Sequence, residues 1–135
     1  MSVQLMSTQP PRQILIIDDE ADIQTIARLG LTVIGGWKVI TAISGEAGIA
    51  QAKAHRPDAI LLDVMMPDMD GAATARALKA DSDTHTIPIV FLTAKAQAVD
   101  RKRLYGLGAQ GVISKPFDPT TLASQIAGFL GWPLS

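Results

Sequence analysis

The sequence predicts an α/β domain built on a five-stranded parallel sheet, and this prediction rests on two observations. Five short apolar segments recur along the chain, and each is followed by a segment with helical periodicity or helix-capping residues. Most of these segments also end directly in polar side chains, as is usual where parallel sheets bind ligands. Parallel strands need crossover connections, so helices should cover both faces of the sheet. With right-handed crossovers we expect the doubly wound, flavodoxin-like strand order 2-1-3-4-5.

The strands are predicted where apolar residues form short runs bounded by polar or turn-forming residues. The run from Ala59 to Leu62 is too brief for a free helix, and a Met-Pro loop follows it closely. Pro88 is tolerable because it lies near the start of its strand. The predicted strands are residues 13–17, 37–43, 58–63, 87–92 and 111–114.

The helices between the strands are predicted from apolar spacing, caps and glycine stops. Apolar residues from Ile23 to Ile34 share one helical face, and Gly35-Gly36 ends this first helix. The remaining helices should run from the N-cap Ser44 to before Pro57, from Gly71 to Ala80, through about Tyr105, and from Pro119, capped by Asp118, to Gly131.

Composition excludes several classes of protein. The chain has no cysteine, so disulfides and thiolate metal sites are excluded and a reducing cytoplasm is favoured. Twelve Lys and Arg residues balance thirteen Asp and Glu, and aromatic residues are only 4%, so no surface for nucleic acid is expected. No apolar run is long enough to span a membrane, and the N-terminus lacks an export signal. We therefore expect a cytoplasmic protein that binds neither DNA nor membranes directly.

The 135 residues are enough for one domain that buries about two-thirds of its unfolded surface. Residues 1–12 show no periodicity and end near two prolines, so we expect a flexible leader there. The folded domain should cover residues 13–131, with a short tail at 132–135.

The predicted strand order brings polar side chains to one edge of the sheet. Asp18 and Asp19 follow the first strand, Asp63 ends the third, Thr93 follows the fourth and Lys115 the fifth. Strands one and three are neighbours at the switch point, where their loops diverge and leave a crevice. Each residue alone has an ordinary explanation as a cap, a turn former or a surface lysine. Together they indicate a site.

The chemistry of this site follows from its crowded acids. Carboxylates about 5 Å apart repel by roughly 3 kcal/mol per pair at an effective dielectric near 20, so a cation, a proton or a lysine is needed. Oxygen ligands without His or Cys favour Mg²⁺ over zinc. An ionised Asp63 could attack phosphorus and form an aspartyl phosphate. Mg²⁺ and the Lys115 ammonium would neutralise the transferred charge, and the Thr93 hydroxyl could donate a hydrogen bond.

At this point the chain resembles the response-regulator receiver domains of two-component signalling. The resemblance covers about residues 13–130. It rests on the pair Asp18-Asp19, the DVMMPDMDG run that begins at Asp63, the pair Thr93-Ala94, and Lys115-Pro116-Phe117.

The resemblance implies that Asp63 accepts a phosphoryl group from a histidine kinase or a phosphotransfer protein. It implies no enzyme activity beyond the self-catalysed phosphorylation and dephosphorylation of that residue. The Mg²⁺ ligands would be Asp18, Asp19, Asp63 and the carbonyl of Met65. Thr93, Ala94 and Lys115 would bind the phosphoryl group and report its arrival, and the Lys115–Pro116 bond would be cis.

Two features depart from the family pattern. Three residues before the lysine the family usually has an aromatic residue that swings inward, whereas this chain has Val112. We therefore expect Val112 to shift only slightly, with the signal passing through the Thr93–Lys95 loop and the following helix. No output domain follows in the chain, so we expect a single-domain regulator whose output is a partner surface on the last two helices and the strand between them. A homodimer is left open.

Two side chains should flank the phosphate site, Met65 two residues after Asp63 and Lys95 two residues after Thr93. We expect both to modulate the lifetime of the phosphoryl group. The bulky apolar side chain of Met65 should slow the attack of water.

Other functions remain as alternatives. A phosphorylation-independent docking domain would bind its partner without Asp63 chemistry. A Mg²⁺-dependent phosphatase of the haloacid-dehalogenase kind would need a second Asp where Met65 stands. A flavin or nucleotide binder would need a phosphate cradle after the first strand, where the acids Asp18-Asp19-Glu20 repel phosphate.

Overall fold

The computed structural model describes residues 11–66, 69–94 and 98–133, which form one parallel sheet flanked by helices. The strands are β1 Gln13–Ile17, β2 Lys38–Ala42, β3 Ala59–Asp63, β4 Ile89–Thr93 and β5 Gly111–Ser114. The α-helices are α1 Ala21–Leu29, α2 Gly45–His55, α3 Gly71–Ala80, α4 Ala98–Gly106 and α5 Leu122–Leu130. The strand order is β2-β1-β3-β4-β5, so the predicted fold class is confirmed.

The register of the sheet decides which loops meet. All four strand pairs are parallel, and β1 lies between β2 and β3. Ile17, the last residue of β1, is paired with Ala42 on one side and Leu62 on the other. The residues that follow Ile17 and Leu62 are Asp18 and Asp63, and they therefore emerge side by side at the carboxyl edge.

The two faces of the sheet bury separate apolar clusters, as expected when the strands are apolar on both sides. On one face, alternate strand residues such as Ile16 and Leu61 pack with Ala27 of α1 and Ile126 of α5. On the other face, the cluster is completed by α2, α3 and α4. Its largest buried members include Leu15, Ile17, Ile60, Leu62, Leu78, Phe91 and Leu104.

Two helix boundaries differ from the prediction. The first apolar helix does extend to Ile34, but its last part, Gly30–Ile34, is a π-helical segment. The last helix begins at Leu122 rather than Pro119. Asp118 accepts hydrogen bonds from the backbone N–H and hydroxyl of Thr120 at 2.9 and 2.6 Å, and these bonds hold a turn before the helix.

Packing continues slightly beyond the predicted domain boundaries of residues 13 and 131. The carbonyl of Arg12 accepts a 2.8 Å hydrogen bond from the Lys38 N–H. The Arg12 guanidinium lies 4.4 Å from the ring centre of Trp132, and this ring meets that of Trp37 edge to face, with 5.4 Å between the ring centroids. A cation–π contact and an edge-to-face pair of rings thus join the two ends of the fold.

Some predictions fall on residues outside the described ranges, namely most of the leader, the end of the tail, and Lys95. Among the described residues, no helix is both long and apolar enough to cross a membrane.

Candidate functional site

Two acids occupy the switch point of the sheet because their strands end there. Asp18 follows β1 directly, and its backbone N–H donates a 3.0 Å hydrogen bond to the Ala42 carbonyl of β2. Asp63 is the last residue of β3. Asp18 is fully buried and Asp63 is 2% exposed, so both carboxylates lie in the crevice rather than on the surface.

The loop after β3 returns closely to Asp63. The Gly71 N–H donates a 2.9 Å hydrogen bond to the Val64 carbonyl, and a Cβ at Gly71 would collide with the backbone carbonyl of Asp63. Asp70 then caps α3 by accepting a 2.7 Å hydrogen bond from the Ala73 N–H. The Asp-Gly pair at the end of the motif therefore starts α3 beside the site.

Lys115 faces three carboxylates at the mouth of the crevice. Lys115 follows β5, and its backbone N–H donates a 2.8 Å hydrogen bond to the Thr93 carbonyl. Its Nζ lies 3.0 Å from Asp18 Oδ2, 3.2 Å from Asp63 Oδ1 and 3.2 Å from Glu20 Oε1. The lysine side chain is 12% exposed. These contacts place Lys115 beside Asp18 and Asp63, at the edge of the sheet where the predicted strand order collects the three residues.

Glu20 is a site residue to which sequence reasoning assigned no role. In the sequence it follows Asp18 and Asp19, and an acid at this position is explained equally well by the favourable charge at the start of a helix. In the structure it is the N-cap residue of α1, yet its side chain makes no capping hydrogen bond. It accepts a hydrogen bond from Lys115 instead.

Electrostatics in the crevice favour protonated or metal-bound acids. Burial raises the pKa of Asp63 to about 6, and the charge of Asp18 adds to this effect, whereas Lys115 and the Met65 N–H oppose it. Burial likewise raises the pKa of Asp18. Burial alone would lower the pKa of Lys115, but its pairing with Asp18 and Asp63 raises it. Lys115 by itself thus leaves Asp18 and Asp63 incompletely neutralised.

The residues fit a hard divalent cation. Oxygen atoms from Asp18, Asp19, Glu20 and Asp63 lie within 4.8 Å of one another. Asp63 Oδ2 and Asp18 Oδ2 are buried and accept no hydrogen bond from the described residues, although the second lies at ion-pair distance from Lys115. Buried carboxylate oxygens without donors are costly unless a cation compensates them. A donor set of oxygens alone suits Mg²⁺.

The remaining predicted residues surround this centre. Thr93 ends β4 and is 2% exposed, whereas Ala94 is exposed. The Met65 N–H donates a 3.3 Å hydrogen bond to Asp63 Oδ1, and the Met65 side chain is 62% exposed. Val112 is 3% exposed and belongs to the buried cluster under α4. The Lys115–Pro116 peptide bond is cis, the isomer that the resemblance implies.

The fold and this arrangement define a class of protein. The model of the response regulator receiver domain family matches residues 14–127, and the chain belongs to this family. It is therefore a receiver domain of two-component signalling.

Particular relatives agree with this assignment. The chain is 39% identical over 118 residues to the probable transcriptional regulator ycf27 of Pyropia yezoensis, an alignment that covers 87% of this chain and 47% of the relative. It is 35% identical over 119 residues to the alkaline phosphatase synthesis transcriptional regulatory protein PhoP of Bacillus subtilis, covering 88% and 48%. The chain thus spans about half the length of these curated relatives.

Among solved structures, the chain resembles the chemotaxis response regulator CheY4 of Vibrio cholerae with a TM-score of 0.82 and 30% identity. The superposition covers 88% of this chain and 98% of that one. A putative response regulator from Chloroflexus aurantiacus gives the same TM-score and identity, covering 90% and 98%.

Proposed function

We propose that this domain is a phosphorylation-controlled switch in which Asp63 is the phosphoryl acceptor. The observation that supports this most directly is the placement of the Asp63 carboxylate, buried at the switch point, with one oxygen 3.2 Å from Lys115 and the other without a hydrogen-bond donor among the described residues. A nucleophile needs a free lone pair, and the second oxygen has one.

In the proposed step, an Asp63 carboxylate oxygen forms a bond to the phosphorus of a phosphohistidine. The phosphorus–nitrogen bond of the donor breaks, and the imidazole leaves with that electron pair and takes a proton from solvent. Lys115 neutralises charge on the transferred oxygens. The Thr93 hydroxyl and the Ala94 backbone would bind the group once attached.

Mg²⁺ is the proposed cofactor, and it would supply charge neutralisation at the transferred group. Asp18, Asp19, Asp63 and the Met65 carbonyl would hold it. The exposed Met65 side chain, beside this centre, would limit access of water to the acyl phosphate. Lys95 remains a predicted modulator of the lifetime of the phosphoryl group on Asp63.

The proposed donor is a histidine kinase or a phosphotransfer protein, and an apolar surface suits its docking. Ile26, Leu29, Val33 and Ile34 extend along α1 and its π-helical segment and are 41, 57, 74 and 54% exposed. A nearly apolar groove of about 300 Å³ lies between this helix and Pro119-Thr120. Large exposed apolar groups on one helix face are typical of protein-binding surfaces. Because α1 starts directly after the acid loop, a helical donor bound there would face Asp63.

The proposed output surface lies elsewhere, on α4, β5 and α5. A surface pocket of about 330 Å³ opens there, lined by residues that include Arg101, Val112, Phe117, Gln125 and Phe129. A downstream protein would read changes transmitted to this face from the Thr93 loop. The domain is thus proposed to act through protein contacts. The only reactions that it would catalyse are its own phosphorylation and dephosphorylation.

Intact-mass measurement after incubation with a small phosphodonor and Mg²⁺ tests the proposal. We expect one added phosphoryl group in the wild type and none in Asp63→Asn. Asp58→Asn is the matched control, because Asp58 lies at the other edge of the sheet, where it accepts a hydrogen bond from the Gln13 N–H. Steady turnover of phosphate esters would instead favour a phosphatase, and partner binding that survives Asp63→Asn would favour a phosphorylation-independent docking domain.

A further inference from the structure

Glu20 makes a contact that neither its position nor helix capping explains. Its Oε1 accepts a 3.2 Å hydrogen bond from Lys115 Nζ, and this bond joins the loop after β1 to the loop after β5. The Glu20 N–H also donates a 2.8 Å hydrogen bond to Asp18 Oδ1, which fixes the backbone from which the side chain reaches across. Glu20 therefore stands at the mouth of the crevice with its carboxylate on the lysine.

The three partners of Lys115 differ greatly in exposure. The ammonium group has three N–H donors, and three carboxylates lie at ion-pair distance. The side chains of Asp18 and Asp63 are 0 and 2% exposed, whereas that of Glu20 is 59% exposed. An ion pair with an exposed partner is weak because water solvates the released charge well. Glu20 is thus the partner that Lys115 gives up most easily.

A phosphoryl group on Asp63 needs donors from Lys115. Its oxygens carry close to two negative charges and bind ammonium groups strongly. Phosphorylation converts the Asp63 carboxylate into an uncharged acyl carbonyl and so frees one Lys115 donor. The phosphoryl oxygens can accept more than one hydrogen bond, and a second donor from Lys115 must come from its contact with Asp18 or with Glu20. Displacing Asp18 would leave a buried carboxylate without its cation, which is far more costly than returning Glu20 to water.

We propose that Glu20 is a positioning residue that holds Lys115 over Asp63 in the unphosphorylated domain and is exchanged for the phosphoryl group. This inference rests on the proposed function. Glu20 then competes with the phosphoryl group for Lys115 and weakens binding of any phosphoryl-like anion. It also couples the start of α1 to the modification state, because the exchanged side chain belongs to the N-cap of that helix.

The test measures binding of beryllofluoride, a phosphoryl mimic, in the presence of saturating Mg²⁺. Glu20→Gln removes the charge, and Glu20→Asp keeps the charge but shortens the side chain by one methylene group, which should carry its carboxylate out of hydrogen-bond distance of Lys115. Asp22→Asn is the control, since it removes an equal charge from the exposed first turn of α1. Binding of Mg²⁺ alone is titrated in parallel for every variant by calorimetry.

We expect both Glu20 variants to bind beryllofluoride about twofold to fivefold more tightly than the wild type, the range that corresponds to losing one exposed ion pair. The control and the affinity for Mg²⁺ should change by less than about twofold. Equal beryllofluoride affinity in the wild type and both variants would overturn the proposal. So would tighter binding in Glu20→Gln but not in Glu20→Asp, since net charge would then explain it.

A loss of Mg²⁺ affinity in Glu20→Gln would also overturn the proposal, by making Glu20 a metal ligand. Failure of the proposed function has a different result. In that case the wild type itself binds no beryllofluoride and gains no phosphoryl group from a small phosphodonor.

Discussion

Asp63 Oδ1 lies 3.2 Å from Lys115 Nζ, and this pair joins the ends of β3 and β5 across the sheet edge. The lysine shares its charge with two further carboxylates, so Asp63 is only partly compensated. The site can therefore accept a further positive charge. We expect the stability of the domain to depend on whether a metal ion or a proton supplies it.

Asp63→Asn should stabilise the metal-free domain at neutral pH while abolishing phosphorylation. The substitution removes a buried charge whose pKa is raised to about 6, and Lys115 keeps two partners. We expect the free energy of unfolding to rise by about 1–2 kcal/mol, less than the full pKa shift would give, because the amide that replaces the carboxyl group must itself find hydrogen-bond partners in the buried crevice. Urea denaturation without metal measures this, with Asp58→Asn as the control. A destabilised Asp63→Asn would contradict the electrostatic account.

The metal-free wild type should lose stability as the pH rises from about 4 to above 6. The pKa of Asp63 is raised in the folded chain, so the folded state holds its proton more tightly than the unfolded state. This contribution is fully present below the ordinary pKa of about 4 and is lost as the pH passes about 6. Melting temperatures across this interval, compared between the wild type and Asp63→Asn, isolate the effect.

Addition of Mg²⁺ should reverse this trend, because metal and proton compete for the same carboxylates. The rise in melting temperature caused by Mg²⁺ should therefore be small near pH 5 and larger at pH 7.5. A rise that is equal at both pH values would show that the metal binds elsewhere.

Lys115→Met should destabilise the metal-free domain strongly at neutral pH. It leaves Asp18 and Asp63 buried without their cation, which costs roughly 2–4 kcal/mol. Saturating Mg²⁺ should restore much of the loss, since the metal replaces the missing charge. Lys53→Met is the matched control because Lys53 pairs with Asp81 on the surface, at 2.7 Å and with 47% exposure, and little change is expected. Equal destabilisation of the two variants would refute the conclusion that Lys115 compensates the buried charges of Asp18 and Asp63.

Val33→Asp should slow phosphoryl transfer from a protein donor without changing phosphorylation by a small phosphodonor. Val33 is 74% exposed on the apolar surface beside α1, so the substitution should not affect folding. We expect a loss of about tenfold or more in transfer rate, because the charge must be buried when the donor docks. Ala50→Asp, on the exposed side of α2, places the same charge away from this surface. Equal slowing by both variants would argue against docking on α1.

Beryllofluoride should change hydrogen exchange more at Thr93-Ala94 and in α4 than at Val112. Val112 is already buried in the cluster under α4 and has no aromatic ring to turn inward. Amide exchange with and without the mimic checks this expectation. Large changes at Val112 with none in the Thr93 loop would mean that the signal takes another route.

The sequence was sufficient to predict the strand order and the meeting of Asp18, Asp63 and Lys115, because both follow from topology. Once β1 and β3 are neighbours, the polar residues that follow the strands must emerge close together at the carboxyl edge of the sheet. The role of Glu20 could not be predicted in the same way. An acid at an N-cap normally serves its own helix, and only the side-chain direction shows that it reaches Lys115 instead.

Local geometry explains the other differences. Asp118 and Pro119 have the composition of a helix start, but the hydrogen bonds of Asp118 to Thr120 close a turn that delays the helix to Leu122. Gly30 packs against the Pro119 carbonyl, where a larger residue would collide, and the π-helical segment begins at this glycine. Such close approaches between distant segments leave no periodic signal in the sequence.

The ring contact between Trp37 and Trp132 has a practical consequence for all of these measurements. These are the two tryptophans of the chain, and they lie at the amino edge of the sheet, opposite the acids. Their fluorescence should therefore follow unfolding of the whole domain while remaining silent to occupancy of the crevice. An optical melt can then report stability, and a separate probe placed near Thr93 can report ligand.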